Sequence, residues 1–182
     1  PKREMETELG GLFSDVVKES LALDVMLFSS GSVRTKQMGP LVIYQDLMEC
    51  IAYDDSVHMM FITGGQLKRM LTFMLRDEVW QGAHNEFYQL SKGLKVVYNR
   101  QTREMVEFSF EDEPIDDDRL FKVGIQDYHY KNFTEFFNVP LAEVEGNKKS
   151  VVMTTSVRDV IEEYFTTHQH LDRPIDGRLT LL

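Results

Sequence analysis

Residues 57–75 read VHMMFITGGQLKRMLTFML, and a threonine in the middle divides the run into two kinds of structure. Before it, Val57 to Ile62 is almost wholly apolar and short enough to be a strand. Thr63 and Gln66 then have the Thr-x-x-Gln spacing of a capping box, in which two side chains satisfy the backbone N–H groups left over at a helix start. After them Leu67, Met70, Leu71, Met74 and Leu75 recur at helical spacing, which predicts a helix with those side chains inward. A strand feeding directly into a capped helix sets the pattern for the rest: helices and strands mixed along one chain.

Upstream, Leu9, Leu12, Phe13, Val16, Val17 and Leu21 predict an amphipathic helix over about residues 6–21, leading into a short buried strand from Asp24 to Phe28. A second helix is predicted across YQDLMECI, residues 44–51. Downstream, EFYQL (86–90), LKVVYN (94–99), MVEFSF (105–110) and LFKVGIQDY (120–128) alternate or run apolar and are rich in Val, Tyr and Phe. The turns NRQTRE and EDEPIDDDR lie between them, which predicts antiparallel strands with tight connections. The C-terminal part adds a strand at SVVMTT and a helix opened by Ser156-x-x-Asp159, with Val157, Val160, Ile161, Tyr164 and Phe165 inward. A last strand, GRLTLL, follows Pro174 and Gly177. No repeat or low-complexity linker is visible, so residues 1–182 read as one α+β domain.

The composition excludes several classes of function. With 182 residues, 42% hydrophobic and 27% charged, the chain has the make-up of an ordinary soluble globular protein. A net charge of −10 argues against binding a nucleic-acid polymer, which relies on lysines and arginines at phosphates. A small anion remains compatible, because a few arginines set a local potential against the overall sign. The single cysteine, Cys50, allows neither an internal disulfide nor a cysteine zinc site and reads as a buried small hydrophobe. No run approaches about 18 apolar residues, so no membrane partner is predicted. No signal peptide is visible, which favours the cytoplasm over the cell surface or periplasm. The start at Pro1, without an initiator methionine, reads as a chain processed or cut from something longer and gives that absence little weight.

Metal and catalytic patterns are equally sparse. His168 and His170 lie two apart near a helix end, where the dipole favours cations. His58, His84 and His129 stand alone and read as structural. Asp116 to Asp118 read as a solvated turn, and the helix start at Gly64-Gly65 is already capped by Thr63. Gly-x-Ser-x-Gly and phosphate-loop patterns are missing. No cofactor or metal is predicted in this chain.

One stretch is left unexplained by packing. Residues 29–34, SSGSVR, end the strand from Asp24 in small residues and then place an arginine. Small residues let a ligand approach the backbone, and Gly31 offers the least obstruction. Arg34 supplies a planar, permanently charged fork suited to phosphate or carboxylate. The stretch reads either as one wall of a pocket or as a surface loop with a solvated arginine.

The segments LGGLFSDVV, DVMLFSSGSVR, GPLVIYQDLMECIAYDDSVHMMFITGGQLKRML, GLKVVY, VGIQDYHY and VRDVIEEYFTTHQ follow one another in an order that resembles the C-terminal domain of the bacterial 5'-nucleotidase family. UDP-sugar hydrolases and 2',3'-cyclic-nucleotide phosphodiesterases belong to that family. The resemblance implies mixed sheets with antiparallel hairpins and about four main helices. It also implies an upstream metallophosphoesterase domain carrying two divalent metal ions, to which this chain would present a nucleotide or other small phosphoester in nucleotide catabolism. The chain alone would then be an inactive part of a hydrolase. By the same resemblance Arg3 and Arg34 match family arginines on the phosphate and ribose side of the substrate. Ser29 falls on a family asparagine and Gly31 on a glycine, while Tyr53 and Tyr128 fall on the two aromatics that clasp the base.

The chain also departs from the family pattern. Where members of the family read Gly-Gly-Asp-Gly-Phe it reads KNFTEF, placing Thr134 on the aspartate that binds ribose and Phe133 on a glycine, and Ala52 replaces a proline. It is thus expected to belong to a divergent subgroup. Asp127, Tyr130 and Asn132 are nearby candidates for a substitute hydrogen bond. The rival reading is a scaffold or interaction module of the same fold that has lost its ligand.

Overall fold

Thr63 does what its spacing predicts. In the computed structural model, which describes residues 5–81 and 85–182, Thr63 Oγ1 accepts from the Gln66 amide at 3.2 Å and Gln66 Oε1 accepts from the Thr63 amide at 3.0 Å. The next two amides are also taken: Gly64 donates to the Arg119 carbonyl and Gly65 to that of Asp117. The acidic turn therefore closes this helix start, and no free N–H group is left there for an anion.

In chain order the helices are α1 (Glu8–Ser20), α2 (Tyr44–Cys50), α3 (Gly64–Met74), α4 (Asp77–Trp80), α5 (Asp127–Lys131), α6 (Phe133–Phe137), α7 (Leu141–Asn147) and α8 (Val157–Thr167). The strands are β1 (Val25–Ser29), β2 (Val57–Thr63), β3 (Tyr88–Leu90), β4 (Leu94–Asn99), β5 (Glu104–Phe110), β6 (Glu113–Pro114), β7 (Leu120–Gln126), β8 (Val151–Thr154) and β9 (Leu179–Leu181). They form two mixed sheets, ordered β3-β1-β7-β2-β8 and β6-β5-β4-β9. The expected α1, α2, α3 and α8 are all present, and the α+β expectation holds.

Two expectations need correction. The middle strands do not form one antiparallel run: β4 and β5 pair as a hairpin, but β3 joins β1 and β7 lies between β1 and β2. The break falls at Ser91, whose hydroxyl oxygen accepts from the Met26 amide at 2.8 Å and whose amide donates to the Met26 carbonyl. The chain is thus held on the first sheet until Ser91 and crosses to the second only at β4. The second concerns residues 127–147, for which periodicity predicts no helix and which form α5, α6 and α7. Each is only five to seven residues long, and none has a side-chain hydrogen bond at its N-cap, so neither periodicity nor capping announces it.

Alternating side chains of the larger sheet build two cores. Val25, Leu27, Met60, Ile62, Phe121, Val123 and Ile125 pack with α3, α6 and the smaller sheet. Met26, Phe28 and Val57 face α1, α2 and α8, meeting Phe13, Val16, Leu47 and Ile161. With both faces covered, β1 is buried along its whole length, as its unbroken apolar run requires. Central β7 meets that second core at Gly124, where an added Cβ would lie 2.5 Å from Leu23 Cδ1 and 2.6 Å from Met26 Sδ.

A buried ion pair ties the C-terminal strand to this assembly. Arg178 grips Asp15 of α1 through two bonds of 2.7 and 2.9 Å and also donates to the Leu90 carbonyl. The Lys92 amide donates to the same Asp15 carboxylate, so one acid joins α1, the β3–β4 turn and the approach to β9. Removing Asp15 takes the buried partner from an Arg178 side chain that is 9% exposed and leaves it paired only with the more exposed Asp176. Asp15→Ala is expected to lower the unfolding free energy by about 3–5 kcal/mol in urea titration. A loss below about 1 kcal/mol would show that the pair does not hold this junction.

Candidate functional site

Strand register gathers several chain ends at one edge of the larger sheet. Ser29, the last residue of β1, pairs with Tyr88 at the start of β3. Val57, the first of β2, pairs with Gln126 at the end of β7 and with Thr154 at the end of β8. Because β1 and β7 run parallel, the loops after both strands leave the sheet on the same side, next to the loop that enters β2.

The first loop is tightly held. Ser29 is 2% exposed, its amide donates to Gln126 Oε1 at 2.9 Å, and Gln126 Nε2 donates to Ser32 Oγ at 3.0 Å. Ser30 is bound to the Phe87 carbonyl and to Gln89, and the Arg34 amide donates to the Cys50 carbonyl at 2.8 Å. Gly31 does permit a close approach, but the group that uses it belongs to the chain itself. Glu86 Oε1 accepts from Ser29 Oγ at 2.7 Å and from the Gly31 amide at 2.9 Å. A Cβ on Gly31 would lie 3.0 Å from that oxygen.

Beyond Gly31 the loop opens. Arg34 is exposed, and its guanidinium lies 5.3 Å from the centre of the Tyr53 ring. Tyr53 is 70% exposed, yet its backbone is fixed on both sides. Arg158 donates to the carbonyls of Ile51 and Ala52, Asp54 accepts from the Ser156 hydroxyl and the Arg158 amide, and the Val157 amide donates to the Asp55 carbonyl. The start of α8 thus clamps this loop, which the Ser156-x-x-Asp159 pattern predicted as a helix cap only.

Tyr128 is tied to the same loop. Its amide donates to Asp55 Oδ2 at 3.0 Å, and the Asp127 amide donates to the Ser56 carbonyl. The Tyr128 ring is 61% exposed and rests on Phe136 and His129. Burial raises the Asp55 carboxyl above its ordinary value, against the pull of the Tyr128 and Ser56 amides. Burial acts in the same direction on Asp127, but hydrogen bonds from Lys131 and His58 outweigh it and hold that carboxyl below its ordinary value. Ser29, Gly31, Arg34, Tyr53 and Tyr128 therefore lie on adjoining segments at one sheet edge, whereas Arg3 falls outside the described residues.

Thr134, which stands on the family aspartate, and the three candidate substitutes Asp127, Tyr130 and Asn132 are all engaged internally. Thr134 Oγ1 accepts from the Leu141 amide at 3.2 Å. Asp127 is bound by His58 and Lys131, the Tyr130 hydroxyl by Glu145 and Ser150, and Asn132 Nδ2 by the Tyr128 carbonyl. Sequence reading missed Glu86, Asp54, Asp55 and Arg158. No local pattern marks them, because their roles depend on contacts between residues 55 or more apart in the chain. Among the described residues no cluster of three or more His, Cys, Asp or Glu side chains is arranged to hold a metal ion, so the residues present do not fit a dimetal centre. A separate open groove of about 870 Å³ lies between α1, residues 36–44 and the end of α8.

The fold is that of a 5'-nucleotidase C-terminal domain. The chain is similar to the 5'-nucleotidase precursor of Thermus thermophilus, with a TM-score of 0.80 at 15% identity, covering 100% of this chain and 37% of that one. The NAD nucleotidase of Haemophilus influenzae has a TM-score of 0.68 at 17% identity, with 92% of this chain and 32% of that chain covered. A putative 5'-nucleotidase from Staphylococcus aureus, solved with alpha-ketoglutarate, has a TM-score of 0.71 at 7% identity, with 94% and 36% covered. The chain thus spans about a third of each of these proteins. No curated protein matches it in sequence. The model of the family described as 5'-nucleotidase, C-terminal domain, matches residues 1–139, and the chain belongs to that family.

Beneath Tyr128, His129 supports the edge as a neutral group. It is 5% exposed, and its Nδ1 lies 2.8 Å from the Tyr88 hydroxyl. Burial raises the Tyr88 hydroxyl well above its ordinary value, so it stays protonated and donates. Burial lowers His129 to about 4. The unfolded histidine titrates near 6.5, so between these values the unfolded chain binds more protons. The stability that His129 contributes is complete above about pH 6.5 and is lost as pH falls towards about 4. In thermal melts the wild type is expected to lose stability across this window more steeply than His129→Gln, by up to roughly 3 kcal/mol. Parallel profiles would show that His129 is not held neutral.

Proposed function

We propose that this chain is the nucleotide-binding domain of a metal-dependent phosphoesterase of the 5'-nucleotidase type. The observation that carries this reading is the placement of the Arg34 guanidinium over the Tyr53 ring, both exposed at the edge where Tyr128 also projects. Arg34 offers a fork to phosphate oxygens. The two tyrosines offer faces to a base, a contact that tolerates different bases and contributes about 1–3 kcal/mol each. The role of this chain is to hold and orient a nucleoside phosphate. Hydrolysis requires a second, metallophosphoesterase domain, whose two divalent cations supply Lewis-acid chemistry at the phosphorus.

A second reading has an observation of its own. Glu86 fills the donor site formed by Ser29 and Gly31, and Thr134 is tied into the turn before α7, as would suit a module of the same fold that has lost its ligand. Calorimetric titration of the 182-residue chain with nucleoside 5'-monophosphates separates the two. Saturable binding is expected, weakened about tenfold to a hundredfold in Arg34→Ala and about fivefold to a hundredfold in Tyr128→Ala. No heat with any nucleotide, nucleoside or sugar phosphate would favour the second reading. The chain alone is expected to release no phosphate, and metal-dependent turnover by a pure sample would contradict the division of labour.

A further inference from the structure

Glu86 is held like a first-rank site residue, although no motif contains it. Its Oε1 accepts two hydrogen bonds at the base of the small-residue loop. Its Oε2 accepts none among the described residues, and it is not enclosed as a buried unsatisfied atom would be. Near Tyr128, the polar side chains of Asp127, Tyr130, Asn132 and Thr134 all have internal partners. Glu86 therefore presents a carboxylate oxygen with open acceptor capacity, fixed in place by its twin.

The chemistry of that oxygen selects its ligand group. Carboxylates accept hydrogen bonds only, and close contact with a phosphate would set two anions against each other. The Ser29 and Gly31 donors that would otherwise attract an anion are already taken by Glu86. Five residues after Ser29, Arg34 carries the opposite charge on the open side of the loop. The loop thus has an acceptor end and a donor end, which fits a ligand bearing hydroxyls at one place and a phosphate at another.

We propose that Glu86 is a specificity-determining residue that accepts hydrogen bonds from the sugar hydroxyls of the ligand through Oε2, while Arg34 takes its phosphate. This rests on the nucleotide-binding reading given above. It adds a discrimination that reading does not require: ribonucleotides bind and 2',3'-dideoxynucleotides are rejected. Losing hydrogen bonds to a charged group lowers affinity by about 10- to 100-fold.

Glu86→Gln is the informative change, because its amide oxygen can still accept from Ser29 and Gly31 while an NH2 group replaces Oε2. The experiment measures Kd by titration calorimetry for AMP and UMP and for their 2',3'-dideoxy counterparts, on the wild type and on Glu86→Gln, with melting curves of both. The wild type is expected to prefer the ribo forms by about 10- to 100-fold. In Glu86→Gln that ratio is expected to fall towards one, with the dideoxy affinities held or slightly raised by loss of a negative charge. Equal wild-type affinities for ribo and dideoxy forms, or an undiminished ratio in Glu86→Gln, would overturn the role of Glu86 while leaving the nucleotide site intact. Absence of binding by the wild type to all four probes would instead overturn the nucleotide-binding reading and this inference with it. The wild-type comparison decides the matter even if the variant fails to fold.

Discussion

The position of β7 between β1 and β2 is the constraint on which the rest depends. Parallel to one and antiparallel to the other, it delivers the ends of β1 and β7 and the start of β2 to one edge. The arrangement needs close packing at the centre, and Gly124 provides it by leaving room for Leu23 and Met26. A larger residue there would have to displace the ends of those two side chains, which pack in the core behind the sheet. The candidate site is therefore a product of sheet order and does not belong to any one motif.

Acidic groups do much of the fixing at that edge. Asp54 and Asp55 hold the Tyr53 loop to α8 and α5, Asp127 joins His58 to Lys131, and Glu86 anchors the loop after β1. In a chain of net charge −10, these carboxylates act as internal acceptors for backbone and hydroxyl donors, so their charge is used within the fold. The exposed rings of Tyr53 and Tyr128 consequently stand on rigid backbone. An aromatic surface held in this way loses little freedom when something stacks on it.

The elements with strong local signals were legible in the sequence. The capping box at Thr63, the stripe from Leu9 to Leu21 and the cap at Ser156 each specify a helix through short-range chemistry, and each helix is where those signals put it. Helices α5 to α7 were not legible, since segments of five to seven residues complete too few turns for periodicity to show. Pairing was also hidden: nothing in the sequence marks β3 as a neighbour of β1 rather than of β4. In the site, Arg34, Tyr53 and Tyr128 were legible by resemblance, and the structure puts them at one edge. Glu86 was not, because its bond to Gly31 spans 55 residues and needs the β1–β3 pairing to exist.

The most direct test of the account is to locate a bound nucleotide on the chain. Backbone amide NMR shifts, recorded while AMP is titrated into the 182-residue protein, report its position residue by residue. The account predicts saturable changes centred on Gly31 to Arg34, Tyr53 to Ser56 and Asp127 to His129. Changes confined to the groove between α1, residues 36–44 and the end of α8, or no changes at saturating AMP, would contradict it.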